Sequence, residues 1–343
     1  MNTRPTRLRH TAVHVFAALC CIITFAGCVF HGSVDIPAAD VWQALTGGEV
    51  SKQSWTYIVT QTRVPAAFTA LLAGAGLAVS GLLLQTTFDN PLAGPSILGI
   101  STGSSLGVAI VMLALGGVSG AWGNAAVLAG AIAGALSVML LLLTLSAILR
   151  SATVLLIAGI LIGYLASSAI SLLNFFSTRE GVHAYVIWGM GSFGGITNES
   201  LPLFAVLILA IILSAFAFAK QLNALLLGSR YAESSGVNTK VTRNAILLIS
   251  GALTAVVTAW CGPIGFIGLV VPHVARLALH SSNHHSLLPA TALCGAATGG
   301  LCQWLSVSPG AWGVIPVNAI TPLIGVPIII YIIIRRRSIF YFN

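Results

Sequence analysis

The stretch that decides the fold is Gly262-Pro-Ile-Gly-Phe-Ile-Gly-Leu-Val-Val-Pro-His-Val-Ala-Arg276, which follows the polar segment 220–243. The stretch is apolar, but two prolines and three glycines interrupt it. Irregular backbone at membrane depth is tolerated only where protein or a water-filled cavity covers it. The polar segment must lie in water, because hydrocarbon cannot solvate it. Its basic residues, typical of a cytoplasmic loop, are Lys220, Arg230, Lys240 and Arg243. Together the two segments indicate a membrane transporter with one large cytoplasmic contact surface.

The composition is that of a polytopic membrane protein. Hydrophobic residues make up 57% of the 343 residues and charged residues only 6%, whereas soluble domains average about 25% charged. The mean hydropathy is +0.98. We therefore predict an all-α protein whose residues 1–343 form one transmembrane domain in a lipid bilayer. The net charge of +8 does not indicate nucleic-acid binding, because the basic residues are not massed on one surface.

Apolar runs and helix breakers predict about ten membrane spans, of which the first is a retained helix and not a cleaved signal peptide. The spans are residues 11–31, 64–84, 95–115, 122–148, 152–173, 200–219, 244–261, 265–279, 287–306 and 315–334. Residues 32–62 and 174–199 are predicted to be polar connections between spans.

The distribution of basic residues predicts that both termini are cytoplasmic. With the N-terminus inside, 12 Lys and Arg residues fall on the cytoplasmic side and 3 outside, as the positive-inside rule expects. The inside residues are Arg4, Arg7, Arg9, Arg150, Lys220, Arg230, Lys240, Arg243, Arg276, Arg335, Arg336 and Arg337. The outside residues are Lys52, Arg63 and Arg179.

Motifs for independent chemistry are absent from the sequence. None of the three lysines completes a Walker A motif, and neither HExxH nor GxSxG occurs. No acid lies in the middle of a predicted span, although proton- or cation-coupled carriers usually keep one. We therefore predict a protein that is not an enzyme and that takes its energy from a partner. A stand-alone secondary carrier and a membrane-embedded enzyme are the less favoured alternatives.

Metal and cofactor sites are not indicated either. The six cysteines lie in apolar runs without a CxxC motif, and we interpret them as small buried residues. His280, His284 and His285 cluster in one loop, which we interpret as a solvated turn in preference to a metal site. We predict no cofactor.

Several spans carry glycines at four-residue spacing, a pattern that lets helices approach closely in lipid. The pairs and triplet are Gly99/Gly103/Gly107, Gly130/Gly134, Gly159/Gly163 and Gly295/Gly299. Close helix packing is the favoured interpretation, and a pathway at a subunit interface is the alternative.

An ordered set of motifs resembles the permease family of ATP-binding-cassette importers for iron-siderophores, haem and cobalamin, the FecCD-type permeases. The motifs are Arg63-Val-Pro65, Gly81-Leu-Leu-Leu-Gln85, Asn90-Pro-Leu-Ala93, Leu98-Gly-Ile-Ser-Thr-Gly103, Trp188-Gly-Met-Gly-Ser192, Leu227-Gly-Ser-Arg-Tyr-Ala232 with Gly236-Val237, and Gly262 to Arg276. They occur in family order over almost the whole chain.

The resemblance implies a homodimer of ten-helix subunits in the inner membrane, with two cytoplasmic ATPase subunits and an extracytoplasmic substrate-binding protein. The substrate path would follow the dimer axis. Residues implied to form the cytoplasmic gate are Asn90, Leu92 and Thr153. Residues implied to form the ATPase coupling loop, within about 220–243, are Leu227, Gly228, Arg230, Ala232, Glu233, Gly236 and Val237. Gly228 and Gly236 would bracket a short helix.

The sequence departs from the family pattern at the outer surface. Ala66 stands where the family often has a second arginine, Gln303 and residues 305–308 stand where an acid and an arginine are frequent, and residues 314–318 replace Glu-Leu-Pro-x-Gly. We therefore expect the binding protein to dock through Arg63, with Lys52 or Arg179 as substitutes. The expected substrate is a ferric siderophore, then cobalamin, then haem.

Overall fold

The computed structural model describes residues 4–116, 121–149, 151–308 and 313–335, and in this part the chain is helical without β-strands. The α-helices of the described ranges are α1 Arg4–Phe30, α2 Ala38–Thr46, α3 Gln53–Tyr57, α4 Val64–Thr87, α5 Ile100–Ala109, α6 Ala121–Ile148, α7 Ala152–Phe176, α8 Arg179–Gly189, α9 Leu201–Phe216, α10 Ala219–Leu225, α11 Ser229–Ser234, α12 Thr239–Cys261, α13 Ile267–Leu279, α14 His284–Val307 and α15 Val317–Arg335. Short π-helical turns follow α3 and α5, at Ile58–Arg63 and Ile110–Ala114. The all-α prediction is confirmed.

Every predicted span coincides with a helix, but the count of ten spans is not confirmed. Five described helices are long and apolar enough to cross a membrane, and a sixth is obtained if α9 and α10 form one span bent by 55°. The bend follows Ser214, whose hydroxyl donates to the carbonyl of Ile211 at 2.7 Å, a bond that commonly bends helices. The apolar helices at Ile100–Ala114, Ile267–Leu279 and Val317–Ile332 are shorter.

Helix α4 is the centre of the bundle. It is buried over 83% of its most apolar window, whereas the matching windows of α1, α6 and α7 are each 28% buried. Helices α12, α13 and α14 pack around it. A helix that is apolar and buried all round needs neighbours on every side, so α4 positions the elements that carry the site.

The glycine pairs pack helix against helix, as the favoured interpretation expected. Cβ atoms built on Gly103, Gly107, Gly130 and Gly134 would clash across the contact between α5 and α6. Cβ atoms on Gly295 and Gly299 would lie 2.5 Å and 2.1 Å from backbone oxygens of α4. These small residues therefore set the helix spacing.

The two predicted polar connections contain helices that sequence polarity did not indicate. Helices α2, α3 and α8 lie within them, and α3 continues through its π-helical turn into α4. Pro65 lies at the start of α4 and cannot donate the usual bond to the residue four positions earlier, which accounts for the local widening. Arg150, Arg336 and Arg337, used in the orientation prediction, lie outside the described residues.

Candidate functional site

The loop between α4 and α5, residues 88–99, is a shaped turn and not a flexible link. The side-chain oxygen of Asn90 accepts from the backbone N–H of Leu92 at 2.9 Å, and Ala93 N–H donates to the Asn90 carbonyl at 3.0 Å. Asp89 adopts a left-handed φ of 47°. Leu92 is 48% exposed at the tip. We call this segment, which holds two predicted gate residues, the α4–α5 loop.

Thr153, the third predicted gate residue, lies in the exposed first turn of α7. The helix is capped by Ser151, whose hydroxyl accepts from Val154 N–H at 3.4 Å. The α4–α5 loop packs against α7 where Leu98 meets Gly159. A Cβ atom built on Gly159 would lie 3.1 Å from the Cα atom of Leu98. In the described part of the chain no hydrogen bond joins Thr153 to Asn90 or Leu92. The three residues therefore belong to two packed elements and are not joined to one another across them by a hydrogen bond in the described ranges.

Helices α10 and α11 and the turn that follows them form a compact unit at the same end of the bundle. Gly228 and Gly236 have φ values of 96° and 83°, and they bracket α11 as predicted. Ala232, within α11, is completely buried, and Val237 N–H donates to its carbonyl at 2.9 Å. Glu233 accepts from the hydroxyl of Thr239 at 2.7 Å. We call residues 219–239 the α10–α11 unit.

The outer surface of the α10–α11 unit combines apolar and basic groups. Leu227 is 64% exposed and Tyr231 is 52% exposed. Arg230 is exposed beside them. Exposed apolar side chains beside polar or charged ones are typical of a protein contact surface.

Below the α4–α5 loop, buried polar groups tie α4 to α13. The amide of Gln85 donates to the carbonyl of Leu269 at 3.1 Å, and its oxygen accepts from Arg276 Nη1 at 2.7 Å. His273 Nε2 donates to the Pro91 carbonyl at 2.8 Å. Residues of the motif 262–276 therefore hold the last turns of α4 through Gln85 and the α4–α5 loop through Pro91.

At the opposite end of the bundle, Arg63 is a structural anchor. It is 7% exposed, and its guanidinium donates to the carbonyls of Val29 and Phe30 at 3.0 and 3.3 Å and to that of Val34. The carbonyls of Val29 and Phe30 end α1, so the arginine satisfies acceptors that the helix leaves open, and the bond to Val34 holds the segment that follows. Lys52 and Arg179 are exposed, and Lys52 lies 5.0 Å from the ring centre of Trp55.

A groove of about 520 Å³ opens between α5, α7, α8 and the segment before α13. Eight of its twelve lining residues are polar and none is charged. The polar ones are Ser96, Ser101, Thr102, Ser105, Ser167, Ser171, Tyr185 and Asn318. Burial raises the pKa of the Tyr185 phenol, which lies in α8 and hydrogen-bonds with the Ser105 side chain, so that it stays neutral. The groove offers hydroxyl and amide groups without a formal charge.

One wall of the groove is the irregular backbone that the sequence stretch 262–276 predicted. Gly262 has a φ of 75° and Phe266 a φ of 67°, so no helix forms between them. Asn318 holds this break, since its amide donates to the carbonyl of Pro263 and its oxygen accepts from Gly265 N–H at 3.1 Å. The non-helical segment thus lies under protein and beside a cavity, as membrane-depth backbone must.

The groove residues were missed by sequence reasoning, although a spacing signal exists. Ser101 and Ser105 are four residues apart on α5, and Ser167 and Ser171 are four apart on α7. That spacing puts each pair on one helix face. What the sequence could not show is that the two faces meet.

Neither the cavity near α1 nor a metal-binding cluster adjoins the groove among the described residues. A second cavity of about 720 Å³ lies beside the end of α1, lined by His31, Asp35 and Trp304 among others, and it is separate from the groove. Among the described residues no three His, Cys, Asp or Glu side chains come together to hold a metal ion. His284 and His280 instead bond with different partners, Asn223 and Arg9.

The chain is similar to known transport permeases over most of its length. The model of the FecCD transport family matches residues 19–335. The vitamin B12 import system permease protein BtuC of Citrobacter koseri is 35% identical over 88% of this chain and 89% of its own length. The hemin transport system permease protein HmuU of Yersinia pestis is 32% identical over 94% and 95%. A solved structure assigned to the metal-chelate type of ABC transporter, in an inward-facing conformation, is 30% identical with a TM-score of 0.83 and covers 95% of this chain and 99% of its own. The resemblance inferred from the motifs is confirmed, and the chain belongs to the FecCD transport family.

Proposed function

We propose that this chain is the membrane-spanning permease of an ATP-binding-cassette importer that carries a ferric siderophore or a similar uncharged iron chelate across the inner membrane. As a FecCD permease it is a transport subunit and not an enzyme, and ATP hydrolysis belongs to a separate subunit. An extracytoplasmic binding protein delivers the substrate. The observation that carries the substrate assignment is the charge-free, hydroxyl-lined groove.

The groove also supports a homodimer with a central path. Ser167 and Ser171 lie on the exposed face of α7. Hydroxyl groups on this face fit a water-filled path better than lipid, because hydrocarbon offers no hydrogen-bonding partner. A second copy that faces α5, α7 and α8 would close the two grooves into one path. Residues 1–343 then form a single transmembrane domain with both termini in the cytoplasm.

The α10–α11 unit is the proposed ATPase coupling loop. Exposed Leu227, Tyr231 and Arg230 form the contact surface, and buried Ala232 holds the helix against the bundle. The cytoplasmic gate consists of Asn90 and Leu92 in the α4–α5 loop and Thr153 at the start of α7. Because the loop packs on α7 through Leu98, movement of either element changes the gate.

Docking of the binding protein is proposed to use the exposed cations Lys52 and Arg179. Exposed ion pairs are screened by salt, so this docking should weaken as ionic strength rises. Arg63 belongs to the docking surface by family position. Its contacts support an indirect contribution, because it fixes the end of α1 beneath that surface.

The groove chemistry orders the possible substrates. Haem carries two carboxylates, and a buried carboxylate without a cationic or hydrogen-bonding partner is strongly unfavourable. A ferric hydroxamate presents neutral oxygen and amide groups that Ser, Thr and Asn side chains can bind. Cobalamin, whose rim carries neutral amides, is the second candidate, and the 35% identity to a vitamin B12 permease favours it specifically.

Removing groove hydroxyls should weaken substrate recognition without weakening the fold. Thr102 and Ser167 line the groove, and within the described ranges neither side-chain hydroxyl makes a hydrogen bond to protein; the backbone carbonyl of Ser167, which the substitution keeps, accepts from Ser171. In Thr102→Val/Ser167→Ala, we expect the KM for ferric hydroxamate uptake to rise about fivefold or more, since each hydrogen bond contributes about 0.5–1.5 kcal/mol. Thermal stability should not change.

The measurement is uptake into proteoliposomes that contain the permease, its ATPase and its binding protein, with ferric hydroxamate, cobalamin and haem as substrates. Ser168→Ala, on the exposed face of α7 outside the groove lining, is the matched control. Faster uptake of haem than of both neutral chelates would contradict the substrate assignment. Uptake of cobalamin alone would establish the second candidate.

A further inference from the structure

A chain of hydrogen bonds leads from the α10–α11 unit into α14. The side-chain oxygen of Asn223, on α10, accepts from His284 N–H at 2.8 Å and from His284 Nδ1 at 2.9 Å. The amide nitrogen of Asn223 donates to the side-chain oxygen of Asn283 at 2.9 Å. Because the backbone N–H must donate, the orientation of the Asn223 amide is fixed, and Nδ1 of His284 carries a proton.

The same histidine reaches α4 with its other ring nitrogen. His284 Nε2 lies 2.9 Å from the hydroxyl of Thr86, and the histidine side chain is fully buried. His284 lies at the first turn of α14, before the predicted span, where burial and the charge of Arg276 lower its pKa to about 3. The ring is therefore neutral and Nε2 carries no proton, so the Thr86 hydroxyl donates to it at 2.9 Å. The same hydroxyl lies 3.1 Å from the carbonyl of Leu82, which competes for its one proton.

Thr86 adjoins the polar contacts that hold the α4–α5 loop. Gln85, the preceding residue, is bound to Leu269 and Arg276 on α13. Asn90 N–H donates to the Gln85 carbonyl at 3.1 Å, which ties the loop to the last turn of α4. Because Thr86 and Gln85 are consecutive in α4, a displacement of Thr86 also moves Gln85, and the bond from Asn90 N–H carries the movement into the loop.

We propose that Asn223, His284 and Thr86 act as positioning residues that transmit movement of the α10–α11 unit to the α4–α5 loop. The inference rests on the coupling and gate roles proposed above. When the ATPase moves α10, the end of α4 must follow, because otherwise buried polar groups lose their partners, which is costly. The three side chains link the two surfaces without touching substrate or ATP.

The test compares Thr86→Val with Thr87→Val in the full complex of permease, ATPase and binding protein in proteoliposomes. Thr87 is the next residue, and its hydroxyl has no hydrogen-bonding partner in the described part of the chain. The readout is substrate molecules transported per ATP hydrolysed. We expect Thr86→Val to lower this ratio about tenfold, within the usual range of coupling between two sites, while ATP hydrolysis falls far less. Thr86→Ser should restore the ratio, and Thr87→Val should match the wild type.

An equal ratio in Thr86→Val and Thr87→Val would overturn the proposal. A parallel fall of uptake and ATP hydrolysis in Thr86→Val would also overturn it, because it would show a structural role only. If Thr86→Val does not fold, Asn223→Ala is compared with Gln221→Ala. Gln221 also lies on α10, and its side-chain Oε1 has no hydrogen-bonding partner in the described part of the chain. A lower ratio in Asn223→Ala supports the link, and equal ratios reject it. ATP-independent uptake by the wild type would instead reject the importer function.

Discussion

Gly81→Ala is expected to prevent the permease from accumulating in a folded form. A Cβ on Gly81 would lie 1.7 Å from the carbonyl oxygen of Gly268 and 2.5 Å from its carbonyl carbon. Both atoms that the new Cβ would meet belong to the backbone of Gly268, so no side chain can rotate away to relieve the clash. Extra methylenes in packed cores cost about 1–3 kcal/mol, and a clash between two backbones should reach or exceed the upper limit. The expected result is loss of the monodisperse peak in detergent and a lower Tm in the protein that remains.

Gly76→Ala, on the same helix, is the matched control. Its Cβ would meet the end of the Ile208 side chain at 3.3 Å, a contact that a small rotation relieves. Alanine also favours helix over glycine by about 1 kcal/mol. Gly76→Ala should therefore be as stable as the wild type or more so. Equal yields and Tm values for Gly81→Ala and the wild type would show that α4 and α13 do not pack as described.

Gly236→Pro is expected to abolish transport while the permease still inserts and folds. Gly236 has a φ of 83°, and proline is confined to about −65°. Proline would also remove the bond from Gly236 N–H to the Glu233 carbonyl at 3.0 Å. The turn after α11 must then change, and with it the proposed contact surface for the ATPase. We expect uptake to fall more than about tenfold, as for other losses of coupling between sites, and substrate-stimulated ATP hydrolysis to disappear.

Gly236→Asn serves as the control for this prediction, because asparagine tolerates the left-handed conformation better than other residues. It should keep most of the uptake. Folding of each variant is checked by its elution profile and Tm, and ATPase binding by co-purification. Wild-type uptake by a folded Gly236→Pro permease would remove the α10–α11 unit from the mechanism.

Short-range pattern predicted the helices and some turns well. The apolar runs located every long helix, and Gly228 and Gly236 located α11, because hydrophobic length and positive φ are local properties. Helices α2, α3 and α8 were missed because their segments were interpreted only as polar connections between spans, and a polar segment can still form a helix. The bend after α9 was missed because the sequence has neither proline nor glycine at that point.

Contacts between distant residues account for the rest. The motif glycines Gly81 and Gly268 were recognised separately, but only the folded chain shows that they touch each other. Arg63 was expected at a docking surface from its sequence position, whereas its side chain is turned into the end of α1. The groove joins residues from four helices, the α4–α5 loop and the segment before α13, and its lack of charge becomes visible only when their side chains meet.

The most direct test of the central claim is uptake by proteoliposomes that hold the permease with its ATPase, with binding protein and labelled ferric hydroxamate outside and ATP inside. Two preparations are compared, one with the active ATPase and one in which the Walker A lysine of the ATPase is replaced. We predict uptake only in the first, since this chain has no Walker A motif of its own. Equal uptake in both would contradict the importer account and show that the chain carries substrate as a secondary carrier.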